Sequence, residues 1–79
     1  MSVRLADGII ILDGDCPVDD AEPLLELLLT NPGVTVDWSG CTHLHTALVQ
    51  VLLAVRPKLL GSPEPEFLRK WILATLNYH

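Results

Sequence analysis

Residues able to do chemistry gather in two stretches of this chain, Asp13-Gly14-Asp15 and the run from Val34 to Arg56, VTVDWSGCTHLHTALVQVLLAVR. In the second, Asp37 and Ser39 flank Trp38, Cys41, His43 and His45 alternate with other residues, and Thr46 opens an almost wholly apolar run. A threonine at a helix start has two uses. Its hydroxyl can cap a free backbone N–H, or it can receive a phosphate or a partner, which the positive end of the helix dipole favours. Cys41-x-His43-x-His45 has strand-like spacing that could set three metal ligands on one side of an extended segment. No fourth ligand of known placement goes with it, Cys16 and His79 being the remaining candidates, and we assign no metal. Asp15 and Asp37 read either as a carboxylate pair at a sheet edge or as acids that cap turns. Trp38 reads as core, with an interface anchor as the alternative.

These side chains need elements to hold them. Val34, Thr35 and Val36 suit a buried strand. Asp37 to Gly40 reads as a polar turn. The apolar run from Thr46 to about Arg56 is too long for a typical strand and reads as a helix that ends before Pro57. A strand, a polar loop and a helix N-terminus in that order present hydroxyls and N–H groups at the C-terminal edge of a sheet. Gln50 is the one polar interruption of that helix, so the helix must be sandwiched or half-covered by a partner.

Upstream, Val3–Ala6 and Ile9–Leu12 flank Asp7-Gly8, a strong hairpin signal. The first strand alternates and looks half-exposed. The second is apolar on both faces and central, with Asp13-Gly14-Asp15 ending it. Asp20 serves as the expected N-cap of a helix with Glu22 in its first turn and Pro23 at its third position, where no intrahelical N–H bond is lost. Leu24, Leu27 and Leu28 form its core stripe, Leu25 and Leu29 widen it, and Asn31-Pro32-Gly33 stops it. Lys58 to Gly61 offers a short edge strand. Ser62-Pro63-Glu64-Pro65 breaks the chain before a last helix, Glu66 to Leu76, with Phe67, Leu68, Trp71, Ile72 and Leu76 inward and the Glu66/Lys70 pair outward. The order β-β-α-β-α-(β)-α predicts an α/β fold: a small mixed sheet of three or four strands with helices packed on it. The step from Ile9 to Asp37 should be a parallel crossover.

With 79 residues the chain forms one domain, and so small a domain buries only about 60% of its unfolded surface. Apolar residues at 49% exclude a disordered chain. They also exceed what a small core can hide, and Leu25, Leu29, Val49 and Leu53 lie off the core stripes. A protein partner or a homodimer is therefore expected. Ten acids against five bases leave a formal charge of −5, which argues against nucleic acid and anionic membrane partners. Cys16 and Cys41 are too few for a disulfide scaffold and read as reduced thiols. No signal peptide or membrane span is apparent, so no membrane insertion is expected and the chain reads as soluble and cytoplasmic. There is no nucleophile elbow, phosphate-binding glycine loop or zinc-hydrolase helix, and little room for a ligand pocket. Neither enzymatic activity nor a cofactor is expected.

Val36 to Leu48, VDWSGCTHLHTAL, resembles the core of the STAS domain, the family of bacterial anti-sigma factor antagonists. Family members typically read hydrophobic-Asp-hydrophobic-Ser-Gly, then Asp-Ser-Ser-Gly-Leu or Asp-Thr-Ala-Gly-Leu at a helix start. Ile10 to Asp15, IILDGD, is similar to the family's apolar strand ending in Gly-Asp or Gly-Glu. His45 stands where the family usually has aspartate, Ala47 where the switch often has a second hydroxyl, and Leu48 where glycine is usual. The resemblance implies a non-enzymatic module that docks an anti-sigma or kinase-like regulator or a transporter ATPase. Thr46, His45, Ser39, Asp37 and Asp15 are then the phosphorylation or partner-contact residues. The Thr-Ala form is closer to the small STAS subunit of bacterial phospholipid-transport ATP-binding cassette systems.

Overall fold

A computed structural model describes residues 2–61. The predicted helix from Glu66 to Leu76, the breaker before it and His79 lie outside the described residues. Two strands open the fold, β1 (Val3–Ala6) and β2 (Ile9–Cys16), paired antiparallel with Val3 opposite Leu12. Asp7 and Gly8 between them both have positive φ, 52° and 78°. Such a turn twists with the strands it joins, which is why Asp-Gly serves there.

After β2 a short 3-10 turn over Val18–Asp20 leads into α1 (Ala21–Thr30). Asp20 stands at the N-cap position, yet its side chain makes no capping bond. Its backbone is already helical, a consequence of the preceding 3-10 turn, and its carboxylate accepts from the Ser2 hydroxyl instead. β3 (Thr35–Leu44) follows, then α2 (Thr46–Val55), then β4 (Lys58–Leu60). The helix stops one residue before its expected end. Arg56 turns left-handed at φ 57°, and its N–H closes on the Leu52 carbonyl at 2.8 Å.

The sheet order is β1-β2-β3-β4, with β2, β3 and β4 mutually parallel. The short strand at Lys58–Leu60 completes a four-stranded mixed sheet. Each parallel strand is added in the same direction, so crossovers of one hand leave both helices on one face. The core agrees: Leu24 and Leu28 of α1 and Leu48, Val49 and Leu52 of α2 join Val3, Ile10, Leu12, Val36 and Trp38 in a single buried cluster. Val49 thus belongs to the core rather than to a free apolar surface, and Leu53 is half-buried against it. Leu25 and Leu29 do remain exposed, Leu29 at 65%.

Two expected breaks are strand. Asp37-Trp38-Ser39-Gly40 continues β3, and Asp13-Gly14-Asp15 continues β2. Pairing explains both, since β2 and β3 hold each other through these polar residues and satisfy their backbone groups in the ladder. Trp38 is fully buried, and its indole N–H donates to the Gly61 carbonyl at 2.8 Å. That bond ties the exit of β4 to the centre of the core. Among the described residues no helix is long and apolar enough to cross a membrane. Trp38→Phe keeps an aromatic ring but leaves the carbonyl without its donor, a loss of about 1 kcal/mol. For a domain of this size the thermal midpoint should fall by roughly 4–8 °C. An unchanged midpoint in a melting curve would show that the Gly61 contact does not anchor the core.

Candidate functional site

The C-terminal ends of β2 and β3 meet the N-terminus of α2, the edge at which parallel sheets carry their ligand sites. A single residue, His45, makes the connection from β3 to α2. Its N–H donates to the Cys16 carbonyl at 3.0 Å, so it still belongs to the sheet. Its carbonyl begins the helix, accepting from Leu48 at 2.9 Å and Val49 at 3.3 Å. Its ring Nδ1 accepts from the Ala47 N–H at 3.0 Å. The cap of α2 is therefore His45 and not Thr46, because the extended backbone at His45 aims its ring back over the first turn. Thr46 is the first helical residue and points outward, exposed.

Asp15 and His43 face each other on the outer side of the same strand ends. The His43 Nδ1 lies 3.1 Å from Asp15 Oδ1, with both side chains well exposed. On the inner side lie the free thiols of Cys16 and Cys41, both fully buried. Their mutual interaction, with burial second, pushes the Cys16 thiol up, and the same interaction holds Cys41 below the ordinary thiol value. The spacing Cys41-x-His43-x-His45 does not gather ligands on one side. Cys41 faces the core, His43 faces solvent, and the His45 Nδ1 is occupied by its cap. Among the described residues no group of three metal-ligating side chains is brought together.

Asp37 and Ser39 form a second, separate cluster. Asp37 is level with Ile11 of β2, four residues before Asp15, or roughly 13 Å along the strand. The two acids are not a carboxylate pair. Asp37 instead accepts from the Ser39 hydroxyl at 2.7 Å and the Ser39 N–H at 3.0 Å. These bonds, the hydroxyl's first, hold its carboxyl below the usual aspartate value. Nearby, Gly40 admits Asp13: a Cβ there would sit 2.6 Å from Asp13 Oδ1.

At the opposite end of the sheet, a cleft of about 410 Å³ opens between Leu28, Leu29, Val34 and Val55, with Arg56 and Lys58 on its rim. Its size falls within the range of ligand sites, so the expectation of little room is too strict. None of the five candidate residues lines it. Both helices end there, and the two cations offset the negative ends of their dipoles, an ordinary structural use. The chain matches no protein-family model, and neither a curated protein nor a solved structure is similar to it at a significant level.

Of the five candidates, Asp15, His45 and Thr46 lie at the same end of the sheet, while Asp37 and Ser39 form a cluster of their own. His43 was not among them, although it is the partner of Asp15. Alternation counted from Val36 and Trp38 already sets its ring outward, and two register shifts in β3 cancel to leave it there opposite Asp15, a pairing that no local pattern announces.

Capping by His45 separates two substitutions. His45→Ala should cost about 1 kcal/mol, whereas Thr46→Ala at an exposed helical position should stay within about 0.5 kcal/mol. Urea unfolding of the two variants tests this, and equal losses would reassign the cap. The second cluster has a signature in pH. A depressed carboxyl value in the fold means that the ionised form is held more tightly, so the stabilisation is present above the unfolded value of about 3.9 and fades as pH falls below it. Ser39→Ala removes the stronger bond, and the Asp37 titration followed by NMR should move up toward the ordinary value. No movement would show that the hydroxyl does not hold the carboxylate.

Proposed function

We propose that this protein is a non-enzymatic regulatory module that docks a protein partner through the start of α2, in the manner of the anti-sigma factor antagonists it resembles. One observation carries the reading. Thr46, Gln50 and Ala54 form a solvent-exposed line down an otherwise apolar helix, with half-buried Ala47 and Leu53 on either side. The half-buried apolar residues bordering this line leave apolar area at the surface beside a hydroxyl and an amide, a mixture that suits a protein partner. The line begins at the same end of the sheet as Asp15 and His43, whose charge and hydrogen-bonding groups lie on the other face of that end. An anti-sigma or kinase-like regulator is the partner class that this arrangement suits, with Thr46 as the residue whose modification would control docking.

A phosphate on Thr46 would enter a turn that is mostly satisfied, since His45 already holds the Ala47, Leu48 and Val49 N–H groups. It would act chiefly by placing charge on the docking line rather than by remaking the helix. The Thr46-Ala47 pair, with no second hydroxyl, favours a second reading, that of a small subunit stabilising a phospholipid-transport ATPase. The exposed Leu25 and Leu29 leave room for association with a further chain, a homodimer included.

Thr46→Asp tests the proposal. The fold should keep its stability, because an exposed carboxylate suits the positive end of α2. Partner binding should fall by tenfold or more, as the added charge must be desolvated on docking. The measurement is affinity capture from native extract with the wild type and the variant, read by mass spectrometry. A variant that retains every wild-type partner would remove Thr46 from the docking surface. Capture of a transporter ATPase by both proteins alike would establish the subunit reading.

A further inference from the structure

The parallel ladder between β2 and β3 shifts register twice within a few residues, an unusual density for a parallel pair. The second shift has a chemical result. Gly14 pairs with Cys41, and the next pair is Asp15 with His43, so Thr42 is an extra residue in β3. On β2 the sides alternate strictly, with Leu12 and Cys16 buried and Asp13 and Asp15 exposed. On β3 the extra residue reverses the alternation after Cys41. The first shift had turned Cys41 inward, out of phase with Val36 and Trp38; the second restores that phase, so His43 goes outward and Leu44 inward. At Gly14, φ is +69°, a conformation that side chains resist, and it lies at the step where the shift occurs. The bulge thus leaves an imidazole against a carboxylate on the face of the sheet away from α1 and α2.

The two histidines of this edge are prepared differently. His45 spends its Nδ1 lone pair on the Ala47 N–H, so its neutral ring shows solvent an N–H. His43 gives its Nδ1–H to Asp15, and its Nε2 lone pair faces solvent. A nucleophilic nitrogen backed by a carboxylate is the arrangement by which imidazole is activated. The His43 side chain is well exposed and the cleft beside Arg56 lies at the other end of the sheet, so the electrophile is a small group delivered from solvent. The adjacent N-terminus of α2 favours an anion there.

We propose that His43 is a phosphoryl acceptor at Nε2, with Asp15 as its positioning residue. The inference rests on the docking reading only for the identity of the cellular donor, and the donor class is a high-energy P–N or acyl-phosphate compound. With phosphoramidate, the Nε2 lone pair attacks phosphorus, the new P–N bond forms, and the donor P–N bond breaks to release ammonia. The donor nitrogen, already protonated, leaves as neutral NH3. The ring keeps its Nδ1 proton and becomes positively charged, and the Asp15 carboxylate stands directly against that charge. Asp15 therefore stabilises the product as well as fixing the tautomer.

The test needs no partner. The full chain is incubated with potassium phosphoramidate, quenched at alkaline pH and mapped by peptide mass spectrometry for acid-labile phosphate. His45 and His79 are comparators within the same molecule. His43 should be labelled roughly five- to tenfold faster than either, the range that an exposed charge pair can support. Asp15→Asn should abolish that advantage while Asp19→Asn, a change in an exposed acid elsewhere, leaves it intact. Circular dichroism confirms that each variant is folded, and His43→Gln shows that the fast label is lost with the ring. Equal labelling of the three histidines, or an unchanged rate in Asp15→Asn, would overturn the proposal. The docking reading would survive that result, because Thr46→Asp tests it independently.

Discussion

The parallel pairing of β2 with β3 is the interaction on which the rest of this fold depends. It joins Ile9–Ile11 to Thr35–Asp37 near one end and Asp15–Cys16 to His43–Leu44 at the other. Parallel strands cannot be joined by a tight turn, so α1 must cross over between them. Once α1 lies on one face, the same-handed step from β3 to β4 brings α2 down beside it. The apolar residues of both helices then share one core with the inward residues of the two central strands. Among the described residues the buried apolar contacts are concentrated in that one interface.

The same pairing decides where polar groups go. Asp13 is paired to β1 through the Ser2 carbonyl, reaches Arg4 at 3.7 Å, and lies over Gly40 of β3. The exposed ion pair contributes at most about 1 kcal/mol. The fit at Gly40 is a steric constraint of a different kind, since any larger residue would have to expel the Asp13 side chain. Trp38 repeats the pattern on the inner side, where its indole fills the core and its N–H reaches out to Gly61. Polar and apolar parts of single residues thus stitch neighbouring strands together.

Much of this was legible in the chain. Asp7-Gly8 between apolar runs, the leucine stripe of α1, the stop at Asn31-Pro32-Gly33 and the helical length of the run after Thr46 are local signals, and local physics obeys them. The parallel step followed from the order of the elements, and the residues Lys58 to Gly61 offered the short edge strand. The polar stretches were not legible. Asp13-Gly14-Asp15 and Asp37 to Gly40 have the composition of turns, and only the ladder that each provides for the other makes them strand. Likewise a threonine beside a helix start looks like a cap, yet the imidazole before it has the backbone angle and reach to take that place.

The candidate site shows why such misreadings collect at one edge. Sequence patterns assume that a strand keeps its period of two, and the edge is where β3 breaks it. Two extra residues, one between Asp37 and Gly40 and one at Thr42, turn Cys41 inward and then return Leu44 to the core and His43 to the side of Asp15. Both extra residues fall on β3, so the strand regains at Leu44 the phase it had at Val36 and Trp38. The core is satisfied by that phase, and it alone would accept any polar residue at position 43. That an imidazole stands there, 3.1 Å from a carboxylate and next to a helix N-terminus, is left unexplained by packing. It is the feature of this edge that asks for a chemical explanation.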